Sequence, residues 1–169
     1  MRKFLLLSFS ISMFVFSGCA QKTVDNSTVP TLDQNRYLGE WYEIARFDHS
    51  FERGMEQTKA LYTLREDGKI DVTNTGVKDG ESKVANGKAK TTDNPALLRV
   101  SFFGPFYSDY RVMLIDPDYQ YVLVGSGSDK YLWILSRTPQ LSETAKNELL
   151  SEASRRGYDT SKLIWVKQE

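Results

Sequence analysis

The stretch GEWYEIARF, Gly39 to Phe47, decides how the rest of the chain is read. Strict alternation puts Trp41, Glu43, Ala45 and Phe47 on one face of a strand and Tyr42, Ile44 and Arg46 on the other. Gly39 stands where the chain turns sharply into that strand, through backbone angles that other residues resist. Two residues on, Trp41 offers a ring large enough to plug one end of a small barrel.

Downstream, short alternating runs are punctuated by turn residues. Lys59 to Arg65 places Ala60, Tyr62 and Leu64 together, and Asp67-Gly68 marks a tight hairpin. Ile70 to Val77 groups Ile70, Val72 and Asn74, Asp79-Gly80 closes a second hairpin, and Glu81 to Thr92 is a polar, lysine-bearing strand of the exposed or edge-like kind. Ala96 to Phe103 aligns Leu98, Val100 and Phe102; Ser108 to Ile115 aligns Tyr110, Val112 and Leu114. Gln120 to Val124 and Lys130 to Arg137 follow, the latter with Trp133, Leu135 and Arg137 on one face. Eight short strands joined mostly by tight turns predict an all-β, up-and-down antiparallel barrel. A single C-terminal helix flanks it: Ser142 is its N-cap, Ala145, Leu149 and Ala153 form an apolar stripe, and Gly157 is the stop. Leu163 to Val166 makes a last short strand.

Residues 1–18 read as a secretory signal, with Arg2 and Lys3 ahead of the apolar run Phe4 to Phe16 and the small pair Ser17-Gly18. Cys19 is the only cysteine, which excludes an intramolecular disulfide. FSGC resembles the bacterial lipobox, with Phe16 where Leu is usual, which implies acylation of Cys19 after cleavage; the alternative is a free thiol near an ordinary signal-peptidase cut. Ala20, rather than Asp, resembles the sorting pattern of outer-membrane lipoproteins; which face of that membrane is occupied stays open. Residues 19–34 read as a polar, lipidated tether that lets a domain spanning 35–169 stand clear of the bilayer. Basic and acidic residues number 22 each. The first 18 residues hold Arg2, Lys3 and no acid, so the remainder carries 20 basic against 22 acidic groups, a net of −2 that argues against nucleic acid as a partner.

YLGEWYEIARF, DYRVMLIDPDY and YLWILSRTP resemble the three signature blocks of the lipocalins, in order and at lipocalin spacing. RFDHSFERG, RVSFFGPFY and SKLIWV look like the bacterial outer-membrane branch, relatives of apolipoprotein D. The resemblance implies a barrel closed at one end, with Gly39 and Trp41 at the closed end and Arg137 stacked across the Trp41 ring. It implies one small hydrophobic ligand, a fatty acid or phospholipid-like lipid, and membrane attachment through acyl chains on Cys19. Candidate ligand-binding residues are Tyr37, Tyr62, Asn74, Phe102, Tyr110 and Trp133, with Lys78 near the ligand by resemblance to apolipoprotein-D-like relatives. Ala60, Leu64, Val72, Val100 and Val112 complete the expected lining, each with plain core packing as its alternative.

No cofactor or metal is expected, because His49 is the single histidine and no axial ligand for a haem is marked inside the barrel. Asp48, His49, Glu52 and Glu56 fall in one loop and are the sole catalytic candidate, but no G-x-S-x-G pattern accompanies them, acids in a polar loop are expected to be solvated, and no enzyme is expected. A third reading makes the barrel incidental to an envelope interaction protein, with Phe51, Phe103, Phe106 and Tyr107 as its contact patch.

Overall fold

The computed structural model describes residues 23–169, so the expected signal sequence and Cys19 lie outside the described residues. A single helical turn, α1 (Gln34–Tyr37), leads into β1 (Gly39–Phe47), β2 (Glu56–Leu64), β3 (Ile70–Lys78) and β4 (Glu81–Lys90). Then come β5 (Leu97–Phe103), β6 (Phe106–Ile115), β7 (Tyr121–Gly125), β8 (Leu132–Ser136), α2 (Glu143–Arg155) and β9 (Leu163–Trp165). The order β2-β3-β4-β5-β6-β7-β8-β1-β9, together with direct pairing of β1 to β2, closes eight antiparallel strands into the expected barrel and leaves β9 as an addition on β1. The edge-like character of β4 also holds: it pairs with β3 along its length but with β5 only at Lys88–Lys90.

Two apolar cores share the barrel wall. The inner one gathers Trp41, Ala60, Tyr62, Ile70, Val72, Leu98, Val112, Val124 and Leu135. The outer one packs Leu149 and Ala153 of α2 onto Ile44, Met113, Leu123 and Ile134, and Ala145 on the same helix is also buried. Ser142 caps α2 by accepting from the Ala145 amide at 3.2 Å, and Gly157, at φ +92°, provides the left-handed exit.

Sharing one wall between two cores makes the register depend on bulges. The β1–β8 ladder shifts between Glu43 and Ala45. As a result Ala45 and Phe47 join the outer core under α2, while Arg46 turns into the lumen; strict alternation predicted the reverse for these residues. A second shift, between Val112 and Leu114, sends Leu114 to the outer core and brings Ile115 to the inner one, correcting the expected alignment of Leu114 with Tyr110 and Val112. Leu64 is a third correction: paired with Ile70 beside the hairpin below the closed end, it is 52 % exposed and lines nothing.

Residues 25–33, within the stretch expected to be a free tether, are docked on the barrel. Arg156 is buried and donates to the carbonyls of Asp25 (3.2 Å), Ser27 (2.7 Å) and Met113 (2.8 Å), and the Val29 amide donates to Val112 O. Val24 and Leu32 pack onto the outer and inner cores, so the strap from Asp25 onward is docked on the barrel despite its polar composition.

At the closed end Trp41 is fully buried and its Nε1 donates to Tyr37 O at 2.8 Å. The Arg137 guanidinium lies 3.7 Å from the Trp41 ring centroid. It donates to the carbonyls of Arg36 (2.7 Å), Leu38 (2.9 Å) and Glu40 (2.7 Å), satisfying acceptors that α1 and the start of β1 would otherwise leave open. Gly39, at φ +94°, brings its backbone so close that an added Cβ would sit 3.4 Å from Arg137 Nη1. Replacing Arg137 with Met keeps bulk but removes these donors, and is expected to lower unfolding free energy by about 2–4 kcal/mol in urea titrations.

Candidate ligand-binding site

Above the Trp41 plug the lumen begins with a hydroxyl cluster. Tyr62 donates to Tyr110 Oη at 2.9 Å, and Tyr37 and Tyr110 share a hydrogen at 2.6 Å. Burial pushes all three phenols above the ordinary tyrosine value, so they stay neutral hydroxyls. The rings meet at tilted or edge-on angles, with centroids 5.7–6.4 Å apart. Sequence periodicity placed Tyr62 and Tyr110 here, and α1 carries Tyr37 up against them.

The walls above are apolar, with one polar exception. Phe102 and Trp133 are half-buried and pack on the inner core. Gly87 permits the position of Phe102, since a Cβ there would stand 2.8 Å from its ring. Asn74 faces Ala60 across the β2–β3 ladder, and its Oδ1 is buried without a hydrogen-bond partner. Lys78 lies at the far end of β3, its Cε close to Gly54 of the loop between β1 and β2. Two clefts of about 550 and 330 Å³ are lined by other residues, the first by Glu40, Lys59 and Lys83 among others, the second by Asp48, Arg53 and Trp165 and reaching Arg46.

The open half holds a polar cluster that alternation did not reveal. Arg46 Nη1 donates to Glu43 Oε1 at 2.6 Å, while its Nη2 reaches Glu52 O at 2.7 Å and Met55 O at 3.0 Å. Thr58 donates to the same Glu43 oxygen at 3.3 Å. The β1–β2 loop thereby folds down into the mouth and carries His49 and Glu52 with it. Glu43, His49 and Glu52 are only 6 %, 6 % and 8 % exposed, so the expectation that the loop acids are solvated fails for Glu52. It holds for Asp48 and Glu56; Asp48 pairs with Arg53 on the surface at 2.8 Å. Trp133 Nε1 donates to Glu52 Oε2 at 3.3 Å.

Aromatic rings surround this cluster. His49 stacks on Phe51 at 3.9 Å, and Tyr131 stacks on Trp133 at 5.7 Å. Phe51 is exposed beyond His49, and Phe103 and Phe106 project from the β5–β6 turn. Tyr107 is covered on one face by the Lys90 ammonium at 4.4 Å. Glu43, Arg46, Thr58 and Tyr131 are the site residues that sequence reading missed; the odd polarity of Glu43 beside Trp41 was the available signal.

Burial, and next the nearby Glu52 carboxylate, push the Glu43 carboxyl up to about 8 against the pull of Arg46. Between its ordinary unfolded value and about 8 the folded state holds a proton that the unfolded state has released, so this group's contribution to stability falls as pH rises through that window. Glu43→Gln is expected to flatten the decline in melting temperature between pH 5 and 9 relative to the unaltered protein, measured by differential scanning calorimetry.

A lipocalin-like domain model matches residues 32–168. Outer membrane lipoprotein Blc of Escherichia coli K12 is 46 % identical, over 99 % of this chain and 98 % of its own. The protein of the same name from Vibrio cholerae is 42 % identical over 92 % and 94 %, and mouse apolipoprotein D is 33 % identical over 80 % and 77 %. Among solved structures, insecticyanin of the tobacco hornworm superposes with a TM-score of 0.70 at 20 % identity, covering 87 % of this chain and 86 % of its own, a likeness of fold. With its barrel, flanking helix and stoppered end already traced, and relatives matching over nearly its whole length, the chain belongs to the lipocalin family.

Proposed function

We propose that this protein is a lipid-anchored lipocalin of the outer membrane that carries or stores fatty acids, lysophospholipids or similar single-chain lipids, and that it acts by binding and not by catalysis. The observation that carries the reading is the lumen: an apolar wall above a stoppered end, with polar groups gathered at the other end. An acyl chain lies along Phe102 and Trp133, with its tip toward Tyr62 and Tyr110 and its head at the open end. Asn74 Oδ1 supplies an acceptor to any donor the ligand carries past it. Tyr37 acts through Tyr110, holding its hydroxyl in place.

Each methylene moved from water contributes roughly 0.8 kcal/mol, so ten give about 8 kcal/mol before association and ordering costs. Micromolar binding with little chain-length specificity follows from such a balance.

The anchor is acylated Cys19, in keeping with relatives named as outer membrane lipoproteins. Asp25 is the first residue of the strap that is hydrogen-bonded to Arg156, and six residues of chain reach at most about 20 Å, so the barrel is held close to the bilayer. Lipidation by more than one chain makes such attachment stable.

Two outcomes test this. Cys19→Ser should move the protein from the membrane pellet to the soluble envelope fraction. The delipidated domain should bind a fluorescent fatty-acid analogue, and Trp133→Ala should weaken that binding about tenfold through lost apolar contact; absence of binding by any long-chain lipid would overturn the reading.

A further inference from the structure

We infer that the open end of the barrel is a membrane-docking face: Phe51 on one side of the mouth, and Phe103 with Phe106 on the other, seat in the lipid leaflet that holds the Cys19 acyl chains. This rests on the anchored lipid-binding reading and adds the surface through which the lumen meets its lipid source.

Exposed apolar surface is unevenly placed on the barrel. Phe103 and Phe106 flank the two-residue turn Gly104-Pro105 as a cross-strand pair, 76 % and 79 % exposed, and Phe51 in the β1–β2 loop is 56 % exposed. In the barrel order the β1–β2 loop and the β5–β6 turn stand half a circuit apart, so these aromatic points lie on opposite sides of the mouth. A flat surface that touches both covers the mouth. The closed end has the opposite character. Its turns carry Glu66, Asp67, Asp93, Asp116 and Asp118, and the exposed Leu64 stands next to Arg65, which pairs with Asp67 at 3.1 Å and Asp71 at 3.2 Å. Charged turns lose solvation against a bilayer, whereas phenyl rings gain by leaving water for its interfacial layer.

The rings are also held in place. Phe51 stacks on the buried His49 at 3.9 Å, in a loop that Arg46 fastens through the carbonyls of Glu52 and Met55. Gly104, at φ +56°, makes the tight bend that keeps Phe103 and Phe106 side by side at the rim. Rings fixed in this way lose little freedom when they dock.

The strap says what covers them. Near the closed end the Asp33 amide donates to Tyr119 Oη at 2.8 Å, and from there toward lower numbers the chain climbs the wall. Asn26 O accepts from Arg111 Nη1 at 3.5 Å, and Arg111 pairs with Gly125, the last residue of β7 before the open-end loop 126–131. Flanking α2 climbs in the same sense: Tyr121 at the start of β7 donates to Glu148 in mid-helix at 2.6 Å, while Arg156, which holds Asp25, follows the last turn. The strap therefore leaves the barrel in its upper half. Six residues separate Asp25 from Cys19 and reach at most about 20 Å, which brings the acyl chains level with the aromatic rim. A bilayer tied to Cys19 thus lies within reach of the one end that has apolar side chains gathered to meet it.

The test uses the full acylated protein bound to vesicles of phosphatidylethanolamine and phosphatidylglycerol. Acylated Cys19 offers no thiol, so one added cysteine takes an NBD label alone. Phe51→Cys and Phe106→Cys place the label at the mouth, and Glu66→Cys places it at the closed end. The expected result is at least threefold stronger quenching by spin-labelled lipid at both mouth positions than at Glu66→Cys, with aqueous iodide giving the reverse order. Equal quenching at all three positions, stronger lipid quenching at Glu66→Cys, or lipid quenching at one side of the mouth alone overturns the inference. Uptake of an anthroyloxy fatty acid by the same vesicle-bound protein is read in parallel, by energy transfer from tryptophan. Uptake alongside water-exposed mouth labels overturns the docking and leaves the lipid-binding reading standing; absence of uptake overturns that reading. Should Phe51→Cys not fold, as judged by near-UV circular dichroism, Phe106→Cys against Glu66→Cys still decides.

Discussion

The Arg137 guanidinium, flat against Trp41 and bonded to the carbonyls of Arg36, Leu38 and Glu40, joins the end of the eighth strand to the beginning of the first. Closing a barrel requires that first and last strands meet in fixed register, and the entry of β1 is where backbone acceptors are least served by the sheet. One rigid fork meets several of them at once, which a lysine could not do. The stopper also sets the geometry of everything above it. Trp41 holds Tyr37 through its indole N–H and ring contact, and Tyr37 in turn holds the hydroxyl of Tyr110. The floor of the lumen is thus built outward from a single stacked pair.

From that fixed end, the wall between the two cores, built from β1, β6, β7 and β8, has to serve both. Two of its strands carry one extra residue, at Glu43/Ala45 in β1 and at Val112/Leu114 in β6. Because a bulge reverses the facing of every later residue, it turns Arg46 into the lumen and Phe47 out under the helix. Ile44, Ala45 and Phe47 are all apolar, so no change of polarity in the sequence marks the switch. Strand number, hairpins, the flanking helix and the closed-end pair were legible because local turn chemistry and long alternation speak for them. Facing beyond a bulge was not, because it is decided by which surface lies on each side.

The candidate site divides in the same way. Tyr62, Tyr110 and Trp133 follow from period-two alternation within ordinary strands, and they do face inward. His49 and Glu52 could be seen as chemically notable residues in a loop, but their burial depends on Arg46 reaching from β1 to two loop carbonyls and on Trp133, 81 positions later, meeting Glu52. A polar run in a sequence looks the same whether it hangs in water or folds into a mouth. The strap of residues 25–33 misleads for a related reason: Arg156 fastens it through main-chain carbonyls, which every residue possesses and no composition reveals.

The buried Glu43–Arg46–Glu52 group is hard to explain as a stabilising device. Charges withdrawn from water lose solvation that pairing repays only when geometry is excellent and every remaining polar atom is served. Here the guanidinium reaches the Glu43 carboxyl but only the main-chain carbonyl of Glu52, Arg46 Nε and both His49 nitrogens go unpartnered, and one acid is driven to hold its proton. An apolar filling of the same space would leave a tighter stopper for the mouth. What the charged arrangement adds is a loop fastened across the lumen by side chains, Arg46 holding two of its carbonyls and Trp133 meeting Glu52. Local instability placed at the mouth, above a floor locked by Trp41 and Arg137, confines adjustment to the end where a ligand must come and go.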